Sequence, residues 1–265
     1  MSFSALWQAI ALGVVQGITE FLPVSSSGHL VILQYLMGVS EPMELTIALH
    51  VGTLLSIAVV FRKELFEHLQ RPQLCLLIIL ATIPVGIVGL AFKESFDRIF
   101  ETPLVAGCGL LVTAMMLAFG QRLQRDQDSL ESVRPRQALF VGMFQAAALV
   151  PGVSRSGSTI AGGLLCGLRR DAATTFSFFI AIPAIAAASL VVAQELLQDS
   201  SGQHDLLPLV AGGVTAFLVG IAALRLLVGI VTQRKLHWFA WYCLLVGAVT
   251  IVWQLLLPPV SKTAA

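Results

Sequence analysis

Two short stretches of this chain carry most of the residues able to do chemistry inside otherwise apolar surroundings. The first, GVVQGITEFLPVSSSGHL (13–30), holds Gln16, Glu20, Ser25, Ser26, Ser27 and His29. The second, PGVSRSGSTI (151–160), holds Ser154, Arg155 and Ser156. Glu20 follows Gln16 by four residues, so a helix would place both on one face. Pro23 then limits the helix, and the serines that follow suit the start of the next one. Free N–H groups at a helix start favour anions, and serine hydroxyls add donors. His29 lies one turn or less further on. Arg155 offers a planar fork of donors suited to phosphate oxygens. The inventory fits an anion of phosphate type. Glu20 can bind a divalent cation with Gln16, or act as a base. Ser26 or His29 can attack phosphorus while the other shuttles a proton. Arg155 would hold the charge that builds up in transfer. Plainer roles stay open: Glu20 pairing with Arg155 as an anchor, His29 as a structural histidine, the serines as helix caps.

Elements able to hold such groups must lie in a membrane. The chain has 265 residues, 57% of them hydrophobic and 12% charged, with a mean hydropathy of +0.87. Soluble domains carry about 25% charged residues. An integral membrane protein is expected. The net charge of +1 and the lack of a basic run give no reason to expect nucleic acid as a partner. Residues 1–61 contain no Lys or Arg, so no cleavable secretory signal is expected. The cysteines, Cys75, Cys108, Cys166 and Cys243, sit in apolar runs without metal-like spacing and read as buried inert thiols.

Apolar segments fall near 5–22, 30–37, 45–61, 74–92, 103–120, 137–150, 157–167, 172–194, 206–231 and 238–257. A spanning helix needs about 20 residues. The segments 30–37, 137–150 and 157–167 are too short. Residues 5–37 and 137–167 therefore read as re-entrant helical hairpins, leaving six full spans; an ordinary first span over 5–22 is the alternative. With the hairpins in place, one side collects Arg62, Lys63, Arg71, Arg122, Arg125, Arg134, Arg136, Arg169, Arg170, Arg234 and Lys235. The other side has Lys93, Arg98 and Lys262. The positive-inside rule makes the basic side cytoplasmic and puts both termini outside. Arg225, near the end of its span, reads as snorkelling to the interface. His50 and Thr46 read as packing residues of their span, with lining of the cavity as the alternative.

The two polar stretches also align with each other without gaps. GVVQGITEFLPVSSSG (13–28) matches GMFQAAALVPGVSRSG (142–157) at an offset of 129 residues, pairing Gln16 with Gln145, Ser25 with Ser154 and Gly28 with Gly157. Each half, about 1–128 and 129–260, then holds one hairpin and three spans of a single membrane domain. An odd number of crossings turns the second copy upside down. Inverted repeats with broken helices place their site near the midplane, where the copies meet. The exchanges matter: Ser26 stands opposite Arg155, His29 opposite Ser158, and Glu20 opposite Leu149.

These stretches, with FSFFIAIP (176–183), closely resemble the signature sequences of the bacterial undecaprenyl-pyrophosphate phosphatases, also called bacitracin-resistance proteins. The resemblance implies an all-α polytopic membrane hydrolase. Such an enzyme converts undecaprenyl pyrophosphate to undecaprenyl phosphate plus phosphate, recycling the lipid carrier of peptidoglycan synthesis. It implies a divalent metal, Mg²⁺ or Ca²⁺, and a homodimer. It also implies the cytoplasmic membrane of a bacterium, with the active-site pocket opening outward. By motif, the metal and acid/base pair falls on Gln16 and Glu20, and the serine-histidine turn on Ser25, Ser26, Ser27 and His29. The arginine falls on Arg155 between Ser154 and Ser156. Some relatives have Glu where Gln16 stands, so the main charge-dependent role is placed on Glu20. A serine, the histidine or an activated water can be the attacking group. The competing function is a lipid or anion transporter or flippase, since inverted repeats are common there. The asymmetry of the two turns favours the enzyme, and a structural scaffold would need no ionisable trio at depth.

Overall fold

The computed structural model describes residues 3–38, 43–92, 102–123, 127–198, 206–232 and 235–256. Among the described residues there are eleven α-helices and one short 3₁₀ turn at Leu130–Ser132. In chain order these are α1 (Phe3–Thr19), α2 (Ser26–Met37), α3 (Met43–Val60), α4 (Arg62–Leu69), α5 (Pro72–Ala91) and α6 (Pro103–Arg122). There follow α7 (Pro135–Ala147), α8 (Arg155–Leu165), α9 (Arg170–Gln198), α10 (Leu206–Thr232) and α11 (His237–Leu256). Prolines open α5, α6 and α7 at the first helical turn, where the missing N–H costs nothing. Gly38 closes α2 in a left-handed conformation, its N–H capping the carbonyls of Gln34 and Tyr35.

Five helices, α5, α6, α9, α10 and α11, are long and apolar enough to cross a membrane. The pair α3 and α4, bent by 74°, makes a sixth if the two are one broken span. The sequence pattern missed α4 because it is short and charged, RKELFEHL, rather than apolar. The pairs α1–α2 and α7–α8 are shorter helices joined by tight turns, as expected for the two hairpins. The first breaks earlier than Pro23 suggested: α1 stops at Thr19, and residues 20–24 form the turn.

Large apolar side chains face outward as well as inward, and polar ones are buried among them. Along α5, Leu76, Ile79, Ile83, Ile87 and Leu90 form an exposed apolar stripe. Meanwhile Gln16, Glu20, Thr53, Thr113, Gln145, Ser154, Ser158 and Ser177 are buried. Of the cysteines, Cys243 is buried and Cys75 and Cys166 are half-buried, whereas Cys108 is exposed on the outward face of α6. The expectation of four buried thiols fails there, because a membrane span presents apolar side chains outward as readily as inward.

Lipid supplies no hydrophobic force between helices, so cohesion comes from close backbone approach and polar bonds. A side chain at Gly13 on α1 would meet the carbonyl oxygen of Gly212 on α10 at 2.6 Å. Gly142 on α7 lies in the same way against Ala81 on α5. Each hairpin thus packs on a span from the other half of the chain. The tips touch reciprocally: Gly28 faces Gly152, and Gly157 faces Pro23.

Loop contacts gather the basic helix ends at one end of the bundle. Arg71 pairs with Glu131 at 3.6 Å. Asp128 bonds the backbone of Gly167 and Arg169, and Gln121 meets His237. Of the charges used for topology, Lys93, Arg98, Arg125, Arg234 and Lys262 lie outside the described residues.

Candidate active site

Each polar turn is built by its own serine and clamped by a distant helix. Ser25 caps α2, its hydroxyl accepting from Gly28 N–H at 3.3 Å. It does so at φ 70°, the one positive φ of a non-glycine residue among those described. That is an uncommon conformation for a residue with a Cβ, and such strain concentrates at functional sites. Ser154 caps α8 in the same manner, accepting from Gly157 N–H at 3.1 Å. Thr113 of α6 holds the second turn, donating to Gly152 O and accepting from Ser154 N–H, both at 2.8 Å. Gly152 itself sits at φ +87°, with the backbone of Ala106 directly against its α-carbon. On the first turn, the Cys243 thiol of α11 reaches Pro23 O at 3.5 Å.

The residues between these caps converge on one carboxylate. Glu20 Oε1 accepts from Arg155 Nη2 at 2.7 Å. Glu20 Oε2 accepts from Ser26 Oγ at 2.7 Å and from Gln16 Nε2 at 3.0 Å. Although Glu20 lies just past α1, its N–H still bonds Gln16 O at 2.9 Å, so both keep the shared face. Phe21, the next residue, is fully buried with its ring edge-on to Phe178 at 5.9 Å. This gives FSFFIAIP a role, strengthened by Ser177, whose hydroxyl meets Thr159 of α8 at 2.5 Å.

The ion pair is deeply placed: the side chains of Glu20 and Arg155 are 5% and 16% exposed. An ion pair so buried is weak evidence for stability, since desolvation rivals the Coulomb gain. Two donor or acceptor atoms beside it have no partner, Arg155 Nη1 and Gln16 Oε1. Unsatisfied buried polar groups are costly, and a ligand carrying charged oxygens would satisfy Nη1. The repeat mate of Gln16, Gln145, is also buried with both amide atoms unpartnered. Sequence reading treated it only as a landmark of the repeat.

The remaining site residues divide. Ser156 turns away to donate to Leu22 O at 3.1 Å, tying the second turn to the first. Ser27 meets Ser25 at 3.3 Å. Ser25 and Ser154 spend their hydroxyls on caps. His29 is not bonded to Glu20; its Nδ1 lies 2.8 Å from Ser25 O and its Nε2 2.8 Å from the Tyr242 hydroxyl. Tyr242 was missed in the sequence, because it lies 213 positions away in an apolar span without a motif. His50 donates from Nδ1 to Thr46 O at 2.8 Å and lies within electrostatic reach of Glu20.

Gln16 and Glu20 also suit a hard cation in donor type: a carboxylate beside an amide oxygen that has no other partner. Among the described residues no group of three or more His, Cys, Asp or Glu is arranged to hold a metal ion. Any cation here would draw its other oxygens from a substrate phosphate or water.

A family profile described as bacitracin resistance protein BacA matches residues 9–249. The chain is 40% identical over 272 residues to the undecaprenyl-diphosphatase of Alkaliphilus metalliredigens, covering 94% of this chain and 99% of that protein. It is 44% identical over 253 residues to the protein of the same name from Rhodopirellula baltica, covering 94% and 98%. Similarity to the undecaprenyl-diphosphatase of Parabacteroides distasonis is 40% over 264 residues, covering 94% and 98%.

Proposed function

The chain belongs to the bacitracin resistance protein family, and on that premise we propose that it is an undecaprenyl-diphosphatase. It hydrolyses undecaprenyl pyrophosphate to undecaprenyl phosphate and inorganic phosphate. The observation that carries this reading is the Glu20 carboxylate, which accepts from Ser26 of its own hairpin and from Arg155 of the other. A hydroxyl with a carboxylate at 2.7 Å is a nucleophile with its base. Ser26 Oγ attacks the terminal phosphorus and passes its proton to Glu20. The bond from phosphorus to the bridging oxygen breaks, and undecaprenyl phosphate leaves with the electron pair. Glu20 gives that proton up to the departing undecaprenyl phosphate and is a carboxylate again when water attacks the phosphoserine; the water's proton passes to Glu20 and on to Ser26 Oγ as inorganic phosphate leaves. Arg155 holds the terminal phosphate through Nη1 while Nη2 keeps its bond to Glu20. His29 is three residues past Ser26 on α2, on the same face; its Nε2 is held by the Tyr242 hydroxyl in the resting state and exchanges that bond for the leaving phosphate when it trades a proton with it.

A divalent cation, Mg²⁺ or Ca²⁺, held by Glu20 and Gln16 would neutralise pyrophosphate charge at this place. The N–H groups at the starts of α2 and α8, positioned by Ser25 and Ser154, are assigned to the phosphates, with Ser27 and Ser156 shaping the turns. In this reading the halves form an inverted repeat, supported by reciprocal contact of the tips. The basic end of the bundle faces the cytoplasm, both termini and the pocket face outward across the bacterial inner membrane, and the protein pairs as a homodimer. The transporter reading is not favoured, since the relatives are named for hydrolysis.

The deciding experiment is phosphate release from undecaprenyl pyrophosphate by purified protein in detergent, with Mg²⁺ or with excess chelator. Detergent removes the two compartments, so transport cannot register. Release that collapses in chelator and in folded Glu20→Ala and Arg155→Ala supports the reading. A well-folded wild type that releases nothing overturns it.

A further inference from the structure

We propose that Tyr242 is a positioning residue of this site, fixing the tautomer and ring plane of His29; this rests on the phosphatase reading above. The argument starts from the other side of the imidazole. His29 Nδ1 lies 2.8 Å from the carbonyl oxygen of Ser25, which can only accept, so Nδ1 carries the hydrogen. In the neutral ring Nε2 is then the lone pair. The Tyr242 hydroxyl lies 2.8 Å from that nitrogen and donates to it. The rings lie 9° from parallel with centroids 5.6 Å apart, so rotation of the imidazole costs the bond and the ring contact together. If Nε2 takes a proton, the same phenol oxygen turns to accept from it. Tyr242 therefore serves both protonation states without moving.

The two turns have their backbone held by other groups. Thr113 clamps the second turn through Gly152 O and Ser154 N–H, and Cys243 reaches the first at Pro23 O, the position that pairs with Gly152 in the repeat. Tyr242, next to Cys243, is left for the imidazole. The second turn has no imidazole to orient: Ser158 stands at the place of His29 and donates to Met116 Sδ. A phenol spent on a side chain that only the first turn carries indicates a role in the chemistry of that side chain.

The test uses the full chain in detergent with ¹⁵N-labelled histidine, the His29 signals being assigned by their loss in His29→Gln. Tyr242→Phe removes the hydroxyl and keeps the ring. The expected wild-type spectrum shows hydrogen on Nδ1 and a hydrogen-bonded Nε2; in Tyr242→Phe the Nε2 signal moves to that of an unbonded nitrogen or the tautomers mix. In phosphate release, Tyr242→Phe is expected to lower kcat about tenfold with KM unchanged. In a His29→Gln background it should have no further effect. Wild-type His29 signals in Tyr242→Phe overturn the proposal, as do losses that multiply independently in the double variant. The spectra decide the tautomer even if no substrate is hydrolysed, so failure of this inference is distinguishable from failure of the phosphatase reading.

Discussion

Arg155→Met separates anchoring from catalysis at the buried ion pair. Arg155 Nη2 and Glu20 Oε1 are 2.7 Å apart, and the Glu20 side chain is 5% exposed. At an effective dielectric of about 20, two unit charges at that spacing attract by about 6 kcal/mol before desolvation is subtracted. Removing one partner leaves Glu20 charged, buried and bonded only to Ser26 and Gln16, at a cost of about 3–5 kcal/mol. Converting Glu20 to Gln as well removes the charge and keeps a carbonyl oxygen for those two donors. Glu20→Gln/Arg155→Met should therefore return to within about 1 kcal/mol of wild type. Unfolding in detergent, followed through the four tryptophans, reads the stability; phosphate release reads the chemistry. If the pair only pinned the hairpins together, restoring stability would restore the rate. The expected result is recovery of stability with activity still down by about 10²–10³ or more. A double variant as unstable as Arg155→Met would refute the energetic argument, and an active one would refute the catalytic assignment.

Four further outcomes are expected. Ser26→Ala gives up one bond to a buried carboxylate, so it should lose about 1.5–3 kcal/mol of stability, stay folded, and lose at least about a thousandfold in kcat; a wild-type rate would hand the attack to water or His29. Gln16→Glu puts a second carboxylate beside Glu20, so titration of activity with Mg²⁺ should show half-saturation at roughly tenfold lower metal. Gly152→Ala forces a Cβ onto a backbone at φ +87° and into the carbonyl of Ala106, and should lower the unfolding free energy by about 2 kcal/mol or more. Ser132→Cys, on an exposed loop at the basic end of the bundle, should escape a membrane-impermeant maleimide in intact cells and react once they are opened; labelling from outside would invert the topology.

Much of the scaffold was legible because membrane spans announce themselves by length and hydropathy. The two short helix–turn–helix pairs were legible for a second reason, a gapless repeat between them. What escaped was set by through-space contact. The bend into α4 carries charges that break the apolar pattern. The turn at 20–24 begins three residues before Pro23, and Glu20, its first residue, reaches Arg155 of the other pair. The serines looked alike in sequence, yet only Ser26 reaches the carboxylate, while Ser25 and Ser154 cap and Ser156 crosses to Leu22.

The site depends on the repeat and on its breakdown at once. Two copies of one turn give two capped helix starts, each held by a distant helix, and they bring the tips into contact at Gly28 and Gly152. A symmetric pair would place either two carboxylates or two guanidiniums at that contact, and like charges buried together cannot both stay ionised. Exchanging Ser26 for Arg155 and Leu149 for Glu20 across the repeat leaves one of each, which satisfy one another in the resting state. Arg155 nevertheless keeps Nη1 without a partner. The ion pair therefore neutralises the buried charges without exhausting the guanidinium. On the proposed function, that arrangement suits a site that must stay folded when empty and still bind a pyrophosphate.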